Sequence, residues 1–214
     1  DDSGEGSLRD ALGRIADACV SMFLADVEER NLLAGSSELE LAHIAYEATG
    51  LLDGLSERLD PILRRQMLQA VERTRRATID DTDRIQYRYA VGFVDLVGFT
   101  TLSANLPPAE LATFIGRFEG LAHDVAAANG ARVVKLIGDE VMFVATEAPA
   151  ACHAAHALIE AFAADLGDVV PRGGLAYGNV VLRGGDYYGP VVNLASRLVD
   201  QAVPLEVLAT REVA

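Results

Sequence analysis

The first third of the chain repeats its apolar positions at intervals of three and four, which is the spacing of one face of an α-helix. A first apolar stripe covers residues 8–23. Ser36 or Ser37, which acidic residues follow, is predicted to cap the start of a second helix. These features predict at least two amphipathic helices before residue 60.

A third helix is predicted through residues 62–71, and it ends in the arginine-rich stretch 73–76, where cations suit the negative end of a helix dipole. Residues 79–84 are polar and acidic without periodic apolar positions, and we interpret them as a linker. The pattern therefore predicts an all-α region with a linker over residues 1–85.

From residue 86 onward the hydrophobic period changes to that of short strands alternating with helices. Residues 89–95 form an apolar run that ends in an acid, which is typical of a buried strand. A helix opened by Pro107 and Pro108 is predicted to end at Asn129-Gly130. Two strands, a helix over about 148–165, two short strands, a helix after Gly189-Pro190 and a strand at 207–209 are predicted to follow.

The order β-α-β-β-α-β is that of the ferredoxin-like split βαβ arrangement. We therefore expect an α+β protein: a ferredoxin-like domain over residues 86–214, preceded by the all-α region.

Gly138-Asp139 separates two apolar runs and predicts a hairpin with a two-residue turn. Such a turn pairs Ile137 with Glu140, Leu136 with Val141 and Lys135 with Met142. Strict alternation then gives one apolar face, formed by Val134, Leu136, Val141 and Phe143. The opposite face is mixed and carries Val133, Lys135, Ile137, Glu140, Met142 and Val144. A mixed face is typical of a cleft or a subunit contact, and its alternative is the solvent side of an open sheet.

Composition singles out Lys135 and excludes several functions. It is the one lysine among eighteen cationic residues, and the other seventeen are arginines. The net charge of −14 argues against a nucleic-acid-binding surface. No apolar run reaches the ~18–20 residues that a membrane span needs. Cys19 and Cys152 lack metal-ligand spacing and favour a reducing compartment, so we expect a cytoplasmic protein.

Two carboxylates indicate a cation site. Asp95 closes the first strand of the α+β half and Asp139 lies in the turn of the neighbouring hairpin, where hard divalent cations would find oxygen ligands. Directly after Asp95, residues 96–100 make a tight turn into a short helix, whose first N–H groups suit a polyphosphate. Together these elements indicate phosphoryl or nucleotidyl transfer.

Asn193 and Arg197 lie one turn apart on a predicted helix. Side by side they could position a ribose and neutralise a phosphate oxygen. The alternative is a pair on a helix surface without a function.

Three motifs in this order resemble the class III nucleotidyl cyclases. They are residues 93–100, residues 135–139, and Asp186 followed by residues 192–197. The resemblance implies a homodimer with two active sites between the subunits. In each site, Asp95 and Asp139 of one chain would bind two divalent cations, Mg²⁺ or Mn²⁺.

The resemblance also assigns the remaining site residues. Lys135 and Asp186 of the partner subunit would read adenine, and its Asn193 and Arg197 would hold the ribose and the phosphate in the transition state. Phe99 and Thr100 begin the short helix beside the phosphates, and Arg183 is the nearest candidate for an additional phosphate contact.

The activity implied is that of an adenylyl cyclase, which converts ATP to 3′,5′-cyclic AMP and pyrophosphate by two-metal in-line attack. The alternative is a catalytically silent nucleotide-binding or dimerisation module of a signalling protein. A diguanylate cyclase is set aside, because Tyr187-Tyr188 follows Gly184-Gly185-Asp186 where that family needs Glu-Phe. The resemblance further implies a truncation after Ala214, and a regulatory or purely dimerising role for the helical region.

Overall fold

A computed structural model of the chain describes residues 12–13, 15–16, 46, 54–81, 84–167 and 169–213. The predicted first and second helices fall almost entirely outside these residues. The chain divides into two compact units, Asp1–Ala70 and Val71–Ala214. In the described ranges no helix is long and apolar enough to cross a membrane.

The predicted third helix is confirmed as α1, Leu55–Ala77. It contains Pro61 in its second turn. Several of its large apolar side chains are exposed, namely Ile62, Leu63, Met67, Leu68 and Val71. The apolar spacing in the sequence predicted this helix correctly, although the apolar side chains that produced the prediction are exposed.

The interpretation of residues 79–84 as a linker is corrected by the structure. Strand β1, Thr78–Asp81, pairs antiparallel with β2, Arg84–Val97, from Thr78 opposite Tyr87 to Asp81 opposite Arg84. The ladder of a two-stranded ribbon is made by backbone groups and needs no apolar side chains. The hydrophobic pattern missed this hairpin because its sequence is polar.

Helices and strands alternate through the remainder of the chain. The helices are α2, Phe99–Asn105; α3, Pro108–Ala128; α4, Ala148–Asp165; and α5, Pro190–Gln201. The strands are β3, Arg132–Ile137; β4, Glu140–Ala145; β5, Val170–Arg183; β6, Asp186–Tyr188; and β7, Val207–Ala209. They confirm the predicted α+β class.

The strands form one sheet in the order β3-β4-β2-β5-β6, with β1 paired to β2 and β7 parallel to β5. Its two faces are covered by different helices. Successive side chains of β4 therefore point into two separate cores. Val141 and Phe143 pack with α3 and α4, whereas Met142 and Val144 pack with α5. The sheet is therefore buried on both sides along its centre.

The predicted hairpin at Gly138-Asp139 is confirmed, including all three predicted pairs. The assignment of Val133 and Val134 to faces is wrong, because a bulge shifts the register between Val133 and Lys135. Val133 pairs with Phe143 and packs with the core under α3 and α4, and Val134 packs with the core under α5. A bulge adds one residue to one strand and so reverses the alternation beyond it.

Candidate functional site

Lys135 on β3 and Asp186 on β6 form an ion pair within one chain, with Lys135 Nζ donating to Asp186 Oδ2. The two strands stand at opposite ends of the strand order. The ion pair therefore joins two strands that are not hydrogen-bonded neighbours in the sheet. The Lys135 side chain is 41% exposed and that of Asp186 25%, so the pair remains accessible to a ligand.

Both oxygens of the Asp186 carboxylate are held, since the backbone N–H of Tyr187 donates to Oδ1 at 2.8 Å. Burial alone would raise the pKa of Asp186. The Lys135 ammonium and the Tyr187 N–H outweigh it, and the net pKa is lowered. Asp186 is therefore an ionised acceptor beside a three-proton donor.

A second group of charged side chains surrounds Asp95, near the end of β2, which is the middle strand of the sheet. Asp95 lies opposite Glu140 on β4 and opposite Arg172 on β5. Asp139, in the β3–β4 turn, is close enough that the charge of Asp95 adds to burial in raising the pKa of Asp139. Asp95, Asp139 and Glu140 thus lie near one another at the end of this strand pair and influence one another's charge.

Glu140 has a strongly raised pKa. Burial first, and then the charges of Asp95, Asp200 and Asp139, raise the pKa of Glu140 to about 7. Mutual repulsion of this kind is relieved when a cation binds between the carboxylates. The electrostatics of the group therefore favour a positive ligand.

Arg172 was not singled out from the sequence, although it belongs to this group. Its Nε donates to Asp95 Oδ2 at 2.9 Å, and its Nη2 lies 2.8 Å from the same oxygen in the ion pair. Its Nη1 donates to the carbonyl of Asp200 at 3.3 Å. Only the pairing of β2 with β5 places it there, across 77 residues of chain. No local spacing in the sequence could have signalled that contact.

The turn after Asp95 enters α2 as predicted. Gly98 precedes the helix with φ of 98°, a conformation that favours glycine, and its carbonyl accepts from Thr101 and Leu102. The N–H groups of Phe99 and Thr100 come before these bonds. The Phe99 ring packs against Phe114, with ring centroids 5.6 Å apart, so Phe99 offers a ligand its backbone rather than its ring.

Asn193 and Arg197 are both exposed on α5, one turn apart as predicted. They are held at a fixed height above the sheet, because α5 lies directly on Gly174 of β5. A Cβ at that position would come within 2.4 Å of Ala195 O and Val199 N. Arg183 is also exposed, at the end of β5, opposite Asp186 in the β5–β6 pairing.

The site residues thus fall into two contact groups. One joins Lys135 and Asp186, and the other surrounds Asp95. Asn193, Arg197 and Arg183 belong to neither group by their contacts.

The group around Asp95 suits a divalent cation that also binds a ligand. Within the described ranges, no cluster of three or more His, Cys, Asp or Glu side chains is arranged to hold a metal ion by itself. Mg²⁺, however, is usually held by one or two carboxylates together with substrate phosphates and water. Asp95 and Asp139 supply such a pair, and only Oδ2 of Asp95 is engaged by Arg172.

Comparison with known proteins matches the part of the chain that contains these site residues. Residues 85–214 match the family described as adenylate and guanylate cyclase catalytic domain. An adenylate cyclase of Streptomyces coelicolor is 37% identical over 211 residues, which are 93% of this chain and 54% of that protein. An adenylate cyclase of Streptomyces griseus is 39% identical over 189 residues, 88% of this chain and 46% of that protein. The chain spans about half the length of these curated relatives.

Among solved structures, the adenylyl cyclase CyaB from P. aeruginosa is similar with a TM-score of 0.54 at 25% identity. The similarity covers 60% of this chain and 79% of that one. The α+β arrangement described above is therefore one that a solved structure shares.

Proposed function

The chain belongs to the adenylate and guanylate cyclase catalytic domain family, the class III nucleotidyl cyclases, and on this basis we propose that it is an adenylyl cyclase. It converts ATP to 3′,5′-cyclic AMP and pyrophosphate. Residues 86–214 form the catalytic domain, and the preceding helical region regulates it or helps it to dimerise. We place the activity in the cytoplasm, where ATP is abundant.

The observation that carries the proposal is the Lys135–Asp186 pair. An ammonium only donates and an ionised carboxylate only accepts hydrogen bonds. Adenine presents a ring-nitrogen acceptor beside its N6 amino donor, which is the complement of this pair. Guanine, bound in the same orientation, would place its N1–H donor against Lys135 and its O6 acceptor against Asp186. Donor would then face donor, and acceptor would face acceptor.

Asp95 and Asp139 hold two divalent cations, Mg²⁺ or Mn²⁺, in this proposal. Such cations supply Lewis-acid activation of the ribose 3′-hydroxyl and neutralise charge on the triphosphate. Arg172 orients the Asp95 carboxylate through Oδ2 and adds a fixed positive charge beside it.

Other residues position the nucleotide. The N–H groups of Phe99 and Thr100 point at the triphosphate from the start of α2. Asn193 holds the ribose, and Arg197 stabilises the charge that develops on the α-phosphate during in-line attack. Arg183, beside Asp186 at the end of β5, contributes a further phosphate contact.

We propose that the active sites lie between two subunits. Ile137 at the end of β3 and Leu194 on α5 are 48% and 44% exposed on the elements that carry Lys135, Asn193 and Arg197. Apolar side chains exposed beside polar site residues are typical of a surface that a partner covers. In the homodimer, the cation residues of one chain face the adenine-reading pair of the other.

Turnover of ATP and GTP by the purified chain with Mn²⁺ tests this function. We expect cyclic AMP from ATP at a kcat/KM at least about tenfold above that for GTP, because a mismatched hydrogen-bonding edge leaves polar groups unpaired. An Asp139→Asn variant, which replaces one charged cation ligand by a neutral amide, should turn over neither nucleotide. Preferential GTP turnover would contradict the adenine assignment, and ATP binding without turnover would favour the silent module.

A further inference from the structure

Directly behind Asp186 lies a cluster of buried rings and a guanidinium that the proposed reaction does not use. Tyr187 is 4% exposed and Tyr89 1%, and their rings meet edge to face with centroids 5.0 Å apart. Nη2 of Arg132 donates to the Tyr187 hydroxyl at 3.1 Å. Tyr187 is thus fixed at its ring and at its hydroxyl.

This anchoring matters because β6 is a short strand. The strand is three residues long and follows Gly184-Gly185, both at positive φ. Such a short strand after a flexible turn is weakly constrained by its own ladder. The Tyr187 N–H that binds Asp186 Oδ1 can shift only if the buried ring shifts with it.

Arg132 and Lys135 lie on the same strand and make parallel contacts to neighbouring residues of β6. Arg132 binds Tyr187 and Lys135 binds Asp186. In a regular strand, residues three apart point to opposite faces. The bulge between Val133 and Lys135 inserts the extra residue that brings both side chains to one face, as their partners Val144 and Met142 on β4 confirm.

We propose that Arg132 and Tyr187 are positioning residues that set the nucleotide preference of the site, by fixing where the Asp186 carboxylate stands relative to Lys135. The inference rests on the proposed function, since it concerns the pair that reads adenine. Neither residue touches the base. Their contact joins β3 to β6 directly beside the Lys135–Asp186 pair.

A Tyr187→Phe variant removes the hydroxyl and keeps the buried ring. We expect KM for ATP to rise about fivefold, the equivalent of one lost hydrogen bond, with kcat changed less than twofold and the melting temperature nearly unchanged. The preference for ATP over GTP should fall by a similar factor. Arg132→Gln should give the same pattern, and Arg132→Lys, which keeps one cationic donor, should restore part of the preference.

Combining Arg132→Gln with Tyr187→Phe should add little to Tyr187→Phe alone, because the loss of the Tyr187 hydroxyl already removes its hydrogen bond with Arg132. Tyr188→Phe is the matched control: the same substitution at the next residue of β6, on a side chain that is 52% exposed. It should leave both constants and the ATP preference as in the wild type.

The outcomes separate this inference from the proposed function. A wild-type chain that prefers ATP, with Tyr187→Phe indistinguishable from Tyr188→Phe, would overturn the positioning role alone. Equal losses for ATP and GTP together with a lower melting temperature would show that the contact serves only stability, and would also overturn it. A wild-type chain without ATP turnover would overturn both proposals.

Discussion

Glu140 combines an unusual charge environment with a position next to a proposed cation ligand. It shares the end of β2 and β4 with Asp95 and follows Asp139 directly in the chain. Its pKa is raised to about 7, first by burial and then by the neighbouring carboxylates. A carboxyl group with a raised pKa favours folding in its neutral form, so its contribution is present below pH 4.5 and is lost as the pH rises through 7.

The metal-free protein should therefore lose stability relative to a Glu140→Gln variant as the pH rises from about 4.5 to about 7. The full shift corresponds to roughly 3 kcal/mol, and solvent screening reduces the expected loss to about 1–2 kcal/mol. Urea unfolding of both proteins in a chelator at several pH values measures the difference. A difference that is constant or grows in favour of the wild type would contradict this electrostatic description.

At the scale of single residues, the sequence singled out those that carry a local signal. The isolated lysine and the Gly138-Asp139 turn indicated Lys135, and the strand end indicated Asp95. Arg172 was not predictable, because its contact with Asp95 exists only through the antiparallel pairing of β2 and β5. A side chain whose role is set by a distant strand leaves no mark in its own segment.

Helix α5 is an element whose height above the sheet is set by one glycine. Gly174 lets the helix backbone approach β5 so closely that no Cβ fits between them. Asn193 and Arg197 are carried on that helix, at opposite sides of the contact at Ala195. The position of these two proposed catalytic side chains thus depends on the absence of a Cβ atom at Gly174.

Gly174→Ala should push α5 outward, lower the free energy of unfolding by about 1–3 kcal/mol and reduce the cyclase rate more than ATP affinity. Gly120→Ala is the control, since a Cβ there meets no atom within 4 Å on the exposed side of α3. It should leave activity unchanged and stabilise the helix by up to about 1 kcal/mol. Chemical denaturation and initial rates measure both effects. Unchanged activity in Gly174→Ala would separate the helix height from catalysis.

Among the described residues, most helices and strands followed from hydrophobic periodicity, with two exceptions. The β1–β2 ribbon was missed because its ladder is built by the backbone of a polar sequence. The bulge in β3 was missed because one extra residue changes which face a side chain occupies without changing the composition of the strand. Both features depend on pairing partners, which a single segment does not specify.

At the scale of the whole molecule, side chains of β3 and β6 are in contact although the strand order places these strands farthest apart. The contacts between β3 and β6 join residues 51 and 55 positions apart in the chain. The resemblance to the cyclases had paired Lys135 with Asp186, whereas the hydrophobic pattern alone gave no sign that β3 and β6 would be in contact. These contacts depend on how distant strands pack together, which no single segment of the sequence specifies.

The central claim is that one active site is assembled from two chains, with the cations on one and the adenine-reading pair on the other. Each heterodimer of an Asp95→Ala chain and a Lys135→Ala chain then contains one intact site and one doubly altered site. In an equimolar mixture about half of the dimers are heterodimers, so about a quarter of all sites are intact.

Mixing experiments with these two inactive variants test that claim most directly. We predict that cyclic AMP formation returns to about a quarter of the wild-type rate after subunit exchange. A control mixture of Asp95→Ala with Asp139→Ala, which alter the same half of the site, should remain inactive. No activity in the first mixture, or equal activity in both, would contradict a site shared between subunits.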